Sequence, residues 1–229
     1  MFLKAAGTDA TGWGYAVRHV QSDDDMRAAR THFETKNVDR ILVEEAVDVS
    51  VCWCANLGVT DDGVTYLGAA EQLFAAPARQ AGSMIDPAVA FPAAGIALAT
   101  KITETARQQG FRGICGLDIG ISPDGRLTVF DPNFRFNSST PQVMLHPAAA
   151  ARSGLPVSLS FGGQSTRAMA EIISCIKDPI ADGWFVPTRL LDAALLPAAE
   201  GQSRVTGFVL GASRDAAHAR ATALAELLA

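Results

Sequence analysis

The sequence predicts an α+β fold in which strands pair as hairpins and helices lie between them. Two observations carry that expectation. The first is a pair of hairpins. Apolar runs ending at Ile121 and starting at Leu127 flank Ser122-Pro123-Asp124-Gly125, and Val49–Thr60 and Val64–Ala70 flank Asp61-Asp62-Gly63. Both connections carry the residues that tight turns require. The second is a set of bounded helices. Asp23–Lys36 follows Ser22, a side chain suited to capping, and opens with acids in its first turn. Ala93–Gln109 has an amphipathic pattern and is followed by Gly110, placed to end it in a left-handed conformation.

The remaining elements follow in chain order. Met1-Phe2-Leu3-Lys4 reads as a strand, Gly7–Gly14 as a Gly-rich loop, and Tyr15–Val20 as a returning strand. Arg40–Val43 is an apolar strand running into Glu44 and Glu45, and Pro77–Pro92 reads as a loop. Arg112 opens the strand that leads to Asp118. Beyond the turn Ser138-Ser139-Thr140-Pro141, helices are expected over Gln142–Ser153, Arg167–Cys175 and the Ala-rich Ser213–Leu228. Strands are expected at Ser158–Gly163 and Arg204–Leu210, and Phe185–Leu195 fits either kind of element.

The chain has 229 residues, 48% of them hydrophobic, with a net charge of -5. That length can bury the core of one large domain or two small ones. A mildly acidic balance without a cluster of Lys or Arg argues against nucleic acid as a partner. No apolar run reaches the roughly 18 residues of a membrane span, and no basic stretch leads into an apolar one, so neither a membrane partner nor a signal peptide is expected. The cytoplasm is the expected location. The four cysteines include no Cys-x-x-Cys, and Cys52 and Cys54 point to one face of a strand, so buried thiols account for them better than zinc. His19, His32, His146 and His218 are scattered, and no nucleophile elbow is present.

The polar residues of the second hairpin strand are the informative ones. Alternation over Asp131–Asn137 sets Asp131, Asn133, Arg135 and Asn137 on one face and Phe134 and Phe136 on the other. Antiparallel pairing can bring Asp118 beside Asp131. Two carboxylates and a carboxamide form a hard-oxygen set suited to Mg²⁺. Arg135 can grip a phosphate or carboxylate with two hydrogen bonds. Read without the rest of the chain, the same residues also fit a solvated strand face with weak Arg–Asp pairs.

Acid, any residue, Asn, any residue, Arg, after a strand bearing another acid, resembles the metal-binding signature of the ATP-grasp enzymes. The signature usually has Glu where this chain has Asp131. Two further segments occur in the order found in that family. One is the Lys4 strand with its Gly-rich loop and returning strand, and the other is Arg40–Val47. The resemblance covers Phe2 to Asn137 and is closest to carboxylate–amine ligases of the peptide-ligase type. It implies two α+β subdomains with antiparallel sheets gripping ATP: a partial lid over residues 1–48 and a C-terminal subdomain with the metal site over residues 49–229. It also implies Asp118, Asp131 and Asn133 as ligands of Mg²⁺, with Mn²⁺ as an alternative, and Arg135 as the catalytic phosphate clamp. Lys4 and the backbone of Gly12 and Gly14 would hold the triphosphate. Glu44, Glu45, Val47 and Asp48 would line the adenine and ribose. Gln72, Asn137 and Ser138 would face the substrates.

By that resemblance the chain is an ATP- and Mg²⁺-dependent ligase, or the ATP-grasp part of one. It would join a small-molecule carboxylate to an amine through an acyl-phosphate. Complete relatives place an N-terminal α/β domain before the Lys-bearing strand, and that domain is expected to be absent here. A homo-oligomer or a separate chain would then supply it. Two other readings stay open at this stage: a nucleotide-binding remnant or partner subunit without full activity, and an unrelated α+β domain that mimics the motif.

Overall fold

The computed structural model describes residues 1–6, 17–77, 79–195 and 201–229. A small antiparallel sheet contains β1 (Phe2–Ala5), β2 (Val17–His19) and β3 (Ile41–Glu44) in the order β2-β1-β3. Helix α1 (Asp23–Thr35) connects β2 to β3. Ser22 caps it by accepting from the Asp25 amide, and Asp23, Asp24 and Asp25 sit where the helix dipole favours negative charge. Leu3, Val20, Ala29 and Phe33 close the core between this helix and the sheet.

The large sheet has eight strands: β4 (Val51–Val59), β5 (Val64–Ala76), β6 (Arg79–Ile85), β7 (Gly113–Ile121), β8 (Leu127–Asn133), β9 (Val157–Ser165), β10 (Phe185–Leu191) and β11 (Ser203–Gly211). Their order is β10-β11-β9-β6-β5-β4-β7-β8, and neighbours pair antiparallel. One face is covered by helices. α2 (Ala93–Gln108) packs Ala99 against Trp53, Ala55, Leu57, Cys115, Leu117 and Ile119. α4 (Met169–Ala181) and α5 (Arg214–Leu228) cover β9 to β11 with Ile172, Ile176, Leu224 and Leu228.

The opposite face is only half covered. α3 (Thr140–Ser153) seals Phe208 and Leu210 with Ala149, and Val143 lies over Gly68, where an added Cβ would come within 2.8 Å. Gln142 anchors this helix inside the protein. It accepts from the Ser83 hydroxyl over 2.7 Å and donates to the Ser158 hydroxyl over 3.0 Å. Both ends of the buried Gln142 carboxamide are thereby hydrogen-bonded. The uncovered half of this face, with the small sheet beside it, forms a cleft.

Two segments differ from the sequence expectation, and one that it left open is resolved. Pro77–Pro92 contains β6, which is paired on both sides and carries the buried Met84. The Phe185–Leu195 stretch is a strand ending in a short 3₁₀ turn at Ala193–Leu195. The polar strand stops at Asn133 rather than Asn137, because the Arg135 amide turns back to the Asn133 carbonyl over 2.9 Å. Phe134 and Phe136 are consequently exposed rather than buried beneath a sheet. No helix among the described residues is long and apolar enough to cross a membrane.

Candidate functional site

Sheet register assembles the centre of the cleft. Cys54 on β4 pairs with Asp118 on β7, and Asp118 pairs with Asp131 on β8. Cross-strand partners share a face, so one row carries Cys54, Asp118 and Asp131. Gln72 enters from β5, opposite Cys52. A bulge follows Asp118, at which Phe130 is skipped in the pairing with β7. A Cβ at Gly120 would lie 2.4 Å from the Phe130 ring, so glycine there gives the bulged side chain its place.

The polar side chains run on from this row. Asn133 donates to Asp131 Oδ2 over 3.0 Å, and Arg135 Nη2 donates to Asn133 Oδ1 over 2.8 Å. Arg135 lies beyond the strand yet stays with the acids through this chain of bonds. Asn137 is buried, and its amide side chain donates to the Arg135 carbonyl over 2.9 Å. Its backbone N–H donates to Thr140 Oγ1 over 3.0 Å, which in turn donates to Asn56 Oδ1 over 2.7 Å. Asn56 also donates to Ser139 Oγ over 3.2 Å. Asn137 thus braces the segment after the strand through its Nδ2 and backbone N–H.

Charge and burial act on the row together. Burial pushes the Asp118 carboxyl up to about 6, and the nearby Asp131 charge adds to that rise. Hydrogen bonds from Cys54 and Gln72, with the Arg135 charge, act in the opposite direction. Burial also raises Cys52, to about 11, and Cys54, where the Asp118 charge adds to the effect. Both thiols are protonated at neutral pH, and their spacing makes no metal site.

Lys4 comes from the small sheet. It pairs with Glu44 at 2.7 Å and donates to the Phe130 carbonyl over 3.4 Å. The segment after β3 completes this side, with Glu44, Glu45, Val47 and Asp48 on the cleft wall. The cleft has a volume of about 2040 Å³ and is also lined by Lys4, Gln72, Asp118, Asp131, Asn133, Arg135, Asn137 and Ser138. Gly12 and Gly14 lie outside the described residues. Glu71, the neighbour of Gln72, also lines the cleft and is tied to Arg214, which holds Asp86 over 2.7 Å.

Among the described residues, no three His, Cys, Asp or Glu side chains gather as a metal site. The donors present are two carboxylates and a carboxamide. Mg²⁺ takes six oxygens and commonly keeps waters or accepts phosphate oxygens, so this set fits an ion shared with a phosphorylated ligand rather than a closed cage. A divalent ion would also offset the like charges that burial brings together at Asp118 and Asp131. The sequence reading passed over Asn56, which brackets the site from β4. Its signal was a lone carboxamide inside the apolar run Val51–Val59.

Several solved structures share this fold. N5-carboxyaminoimidazole synthetase from Staphylococcus aureus, complexed with ADP, is 11% identical with a TM-score of 0.59, over 99% of this chain and 60% of that one. The carboxyaminoimidazole ribonucleotide synthase of Aspergillus clavatus, complexed with ATP, is 15% identical with a TM-score of 0.60, over 99% and 62%. Biotin carboxylase from Campylobacter jejuni is 11% identical with a TM-score of 0.59, over 100% and 57%. The chain spans about 60% of the length of the first of these. In sequence, residues 1–133 match the family described as "L-aspartate--L-methionine ligase, ATP grasp". That match takes in β1 to β8 and the whole row from Lys4 to Asn133, and by it the chain belongs to this family of the ATP-grasp superfamily.

Proposed function

We propose that the cleft binds Mg²⁺-ATP and that the chain carries the ATP-dependent step of a carboxylate–amine ligase. The observation that carries this reading is the row of Asp118, Asp131, Asn133 and Arg135 beneath Lys4, drawn from both sheets. In this reading residues 1–48 act as a lid and residues 49–229 as the body. Asp118, Asp131 and Asn133 would hold Mg²⁺ or Mn²⁺, which when bound offsets and aligns phosphate oxygens. Lys4 would neutralise phosphate charge. The Glu44–Asp48 segment would receive adenine and ribose, largely through backbone groups at Glu45 and Val47, with Asp48 toward the ribose hydroxyls. Gly12 and Gly14 would close over the phosphates.

The substrate carboxylate would attack the γ-phosphorus in line. The bond to the β–γ bridging oxygen breaks, ADP leaves, and an acyl-phosphate forms. The amine then adds to the acyl carbon, inorganic phosphate departs, and the amide remains. Arg135 would steady the phosphoryl oxygens through both steps. Gln72, Asn137 and Ser138 would face the substrates, and Asn137 would also keep the Arg135 segment in position. L-Aspartate and L-methionine, the acids in the family's description, are the first substrates to try.

Calorimetry with ATP, with and without Mg²⁺, tests the binding. Amine- and acid-dependent release of ADP and phosphate tests the chemistry. No binding of Mg²⁺-ATP by the chain would refute the reading. A second reading is ATP binding with turnover only beside a partner chain or a second copy. Binding without turnover would select it.

A further inference from the structure

The small sheet ends in an edge unlike the others in this protein. β3 presents Ile41, Leu42 and Val43 to solvent, 46%, 50% and 59% exposed. It pairs with β1 on one side, and no strand among the described residues takes the other. Edge strands invite pairing with another chain, and charge, proline, bulges or brevity normally blunt them. The remaining edges follow that rule. β8 carries Pro132, β10 carries Pro187 with an irregular register after it, and β2 is three residues long with Arg18 and His19.

Both faces of β3 are open. Leu42 pairs with Lys4 and shares its side with Glu44, while Ile41 and Val43 pair with Ala5 and Leu3 on the side of α1. Arg40 continues the ladder, because its carbonyl accepts from the Ala6 amide over 2.9 Å. Alternation therefore sets Arg40, Leu42 and Glu44 on one face. Cation, aliphatic, anion is complementary to itself when read in the opposite direction. An antiparallel copy centred on Leu42 puts Arg40 opposite the partner subunit's Glu44, and Ile41 opposite the partner subunit's Val43, each pair occurring on both sides of the axis. Opposite charges facing across strands stabilise such a pair. A one-residue slip sets Ile41 opposite Glu44 of the partner subunit, or Arg40 opposite Val43 of the partner subunit. Arg40 has no ion pair of its own among the described residues, whereas Glu44 holds Lys4 at 2.7 Å. Asp39 and Glu45 are exposed and would face each other just outside the paired segment, which keeps the association weak.

We propose that two copies of this chain pair antiparallel through β3 about a two-fold axis at Leu42, and that Arg40 of the partner subunit draws Glu44 off Lys4. The pairing stands on the strand itself, and its consequence for nucleotide rests on the Mg²⁺-ATP reading above. The two three-stranded sheets become one continuous sheet. An isologous contact of this kind closes on itself, so association stops at the dimer. In the monomer Glu44 and a phosphate compete for the Lys4 ammonium. In the dimer Glu44 has a second cation, and Lys4 is left to the phosphate. Dimer formation and Mg²⁺-ATP binding are therefore linked, each strengthening the other by the same factor. The contact is short, at the low end of specific interfaces, so a micromolar dissociation constant is expected.

The test is sedimentation of the full chain over a concentration series spanning the micromolar range, with and without Mg²⁺-ATP, beside urea melts and calorimetry. The expected result is a reversible monomer–dimer equilibrium, tightened about fivefold or more by Mg²⁺-ATP. Leu42→Lys sets two ammonium groups together at the axis. It is expected to be monomeric throughout with an unchanged melt, because Leu42 is half exposed. Arg40→Glu and Glu44→Arg each place like charges opposite one another, so each is monomeric alone, and the two form a dimer when mixed. A parent that stays monomeric at every concentration overturns the proposal, as does assembly beyond the dimer. A dimer that survives Leu42→Lys or Arg40→Glu also overturns it. Charge variants that melt as the parent does yet fail to dimerise on mixing overturn the register. A dimer whose Mg²⁺-ATP affinity equals that of the Leu42→Lys monomer overturns the release of Lys4 and keeps the interface. Absence of Mg²⁺-ATP binding in both forms refutes the nucleotide reading and the coupling with it, while sedimentation still decides the dimer.

Discussion

Lys4 of the small sheet donates to the carbonyl of Phe130, the residue just before Asp131. Phe130 is also the bulged residue of β8. The same ammonium pairs with Glu44 on β3. One side chain therefore joins the two sheets at the point where the large sheet presents its acids. A lysine so placed can exchange a weak carbonyl contact for a phosphate without moving its backbone.

Lys4→Ala is expected to weaken Mg²⁺-ATP binding by tenfold or more. The pair with Glu44 is partly exposed, so stability should change by about 1 kcal/mol or less. Calorimetry and urea unfolding separate the two effects. A large stability loss with unchanged affinity would make Lys4 a structural clamp.

Asp118 makes the metal-free protein sensitive to pH. Its folded value of about 6 lies above the ordinary 3.8. Between those values the native state binds more protons than the unfolded chain, so stability falls as pH rises through this window. By neutral pH the cost is on the order of 3 kcal/mol. Asp118→Asn should therefore be more stable than the parent near neutral pH, with the gain fading toward about pH 4. The same variant should lose Mg²⁺-ATP binding. Urea melts at both pH values check the sign.

In the proposed function Arg135 acts on developing phosphoryl charge. Arg135→Ala is expected to lower kcat by about 10²–10³ with a small change in KM for ATP. Arg135→Lys keeps the charge but loses the planar fork bonded to Asn133, so it should be impaired too. Steady-state kinetics of ADP release decide it. A raised KM with kcat spared would assign Arg135 to ground-state binding.

Gly116→Ala should disturb the site through packing. An added Cβ would lie 2.2 Å from Asn137 Nδ2 and 3.1 Å from Cys54 Sγ. Asn137 would have to leave its bond to the Arg135 carbonyl. A stability loss of about 1–3 kcal/mol is expected, together with weaker Mg²⁺-ATP binding. An intact melting curve would mean that the pocket for Asn137 is looser than its contacts indicate.

Arg214→Ala separates structure from site. It leaves the Glu71 and Asp86 carboxylates, which are 17% and 12% exposed, without their cation. A loss of roughly 2–3 kcal/mol is expected, below the ~3–5 kcal/mol of a fully buried pair because Arg214 keeps some exposure. Mg²⁺-ATP affinity should stay unchanged. A parallel fall in affinity would give Glu71, which lines the cleft, a part in nucleotide binding.

Local chemistry was legible in the residues. The Ser122–Gly125 turn and the strands beside it limit the registers available, and the register that forms places Asp118 opposite Asp131. Ser22 and the three acids after it mark the start of α1, and Gly110 adopts the positive φ expected after α2. These features depend on neighbours a few positions apart, so they can be read along the chain.

Long-range packing decided the rest. β6 forms within a Pro- and Gly-containing stretch because β5 and β9 flank it with unpaired edges. The bulge at Phe130 depends on the space above Gly120, and the break after Asn133 depends on the bonds joining Asn137 to Thr140 and Asn56. Glu71 and Gln72 are adjacent in sequence but have different fates, because the pleat sends one to Arg214 and the other toward Asp118. The order β2-β1-β3 makes β3 an edge, which no local pattern in Arg40–Val43 reveals. Patterns of period two and of turns report which way a side chain points, whereas burial and charge partners come from strands tens of residues away, and only the folded sheet brings those together.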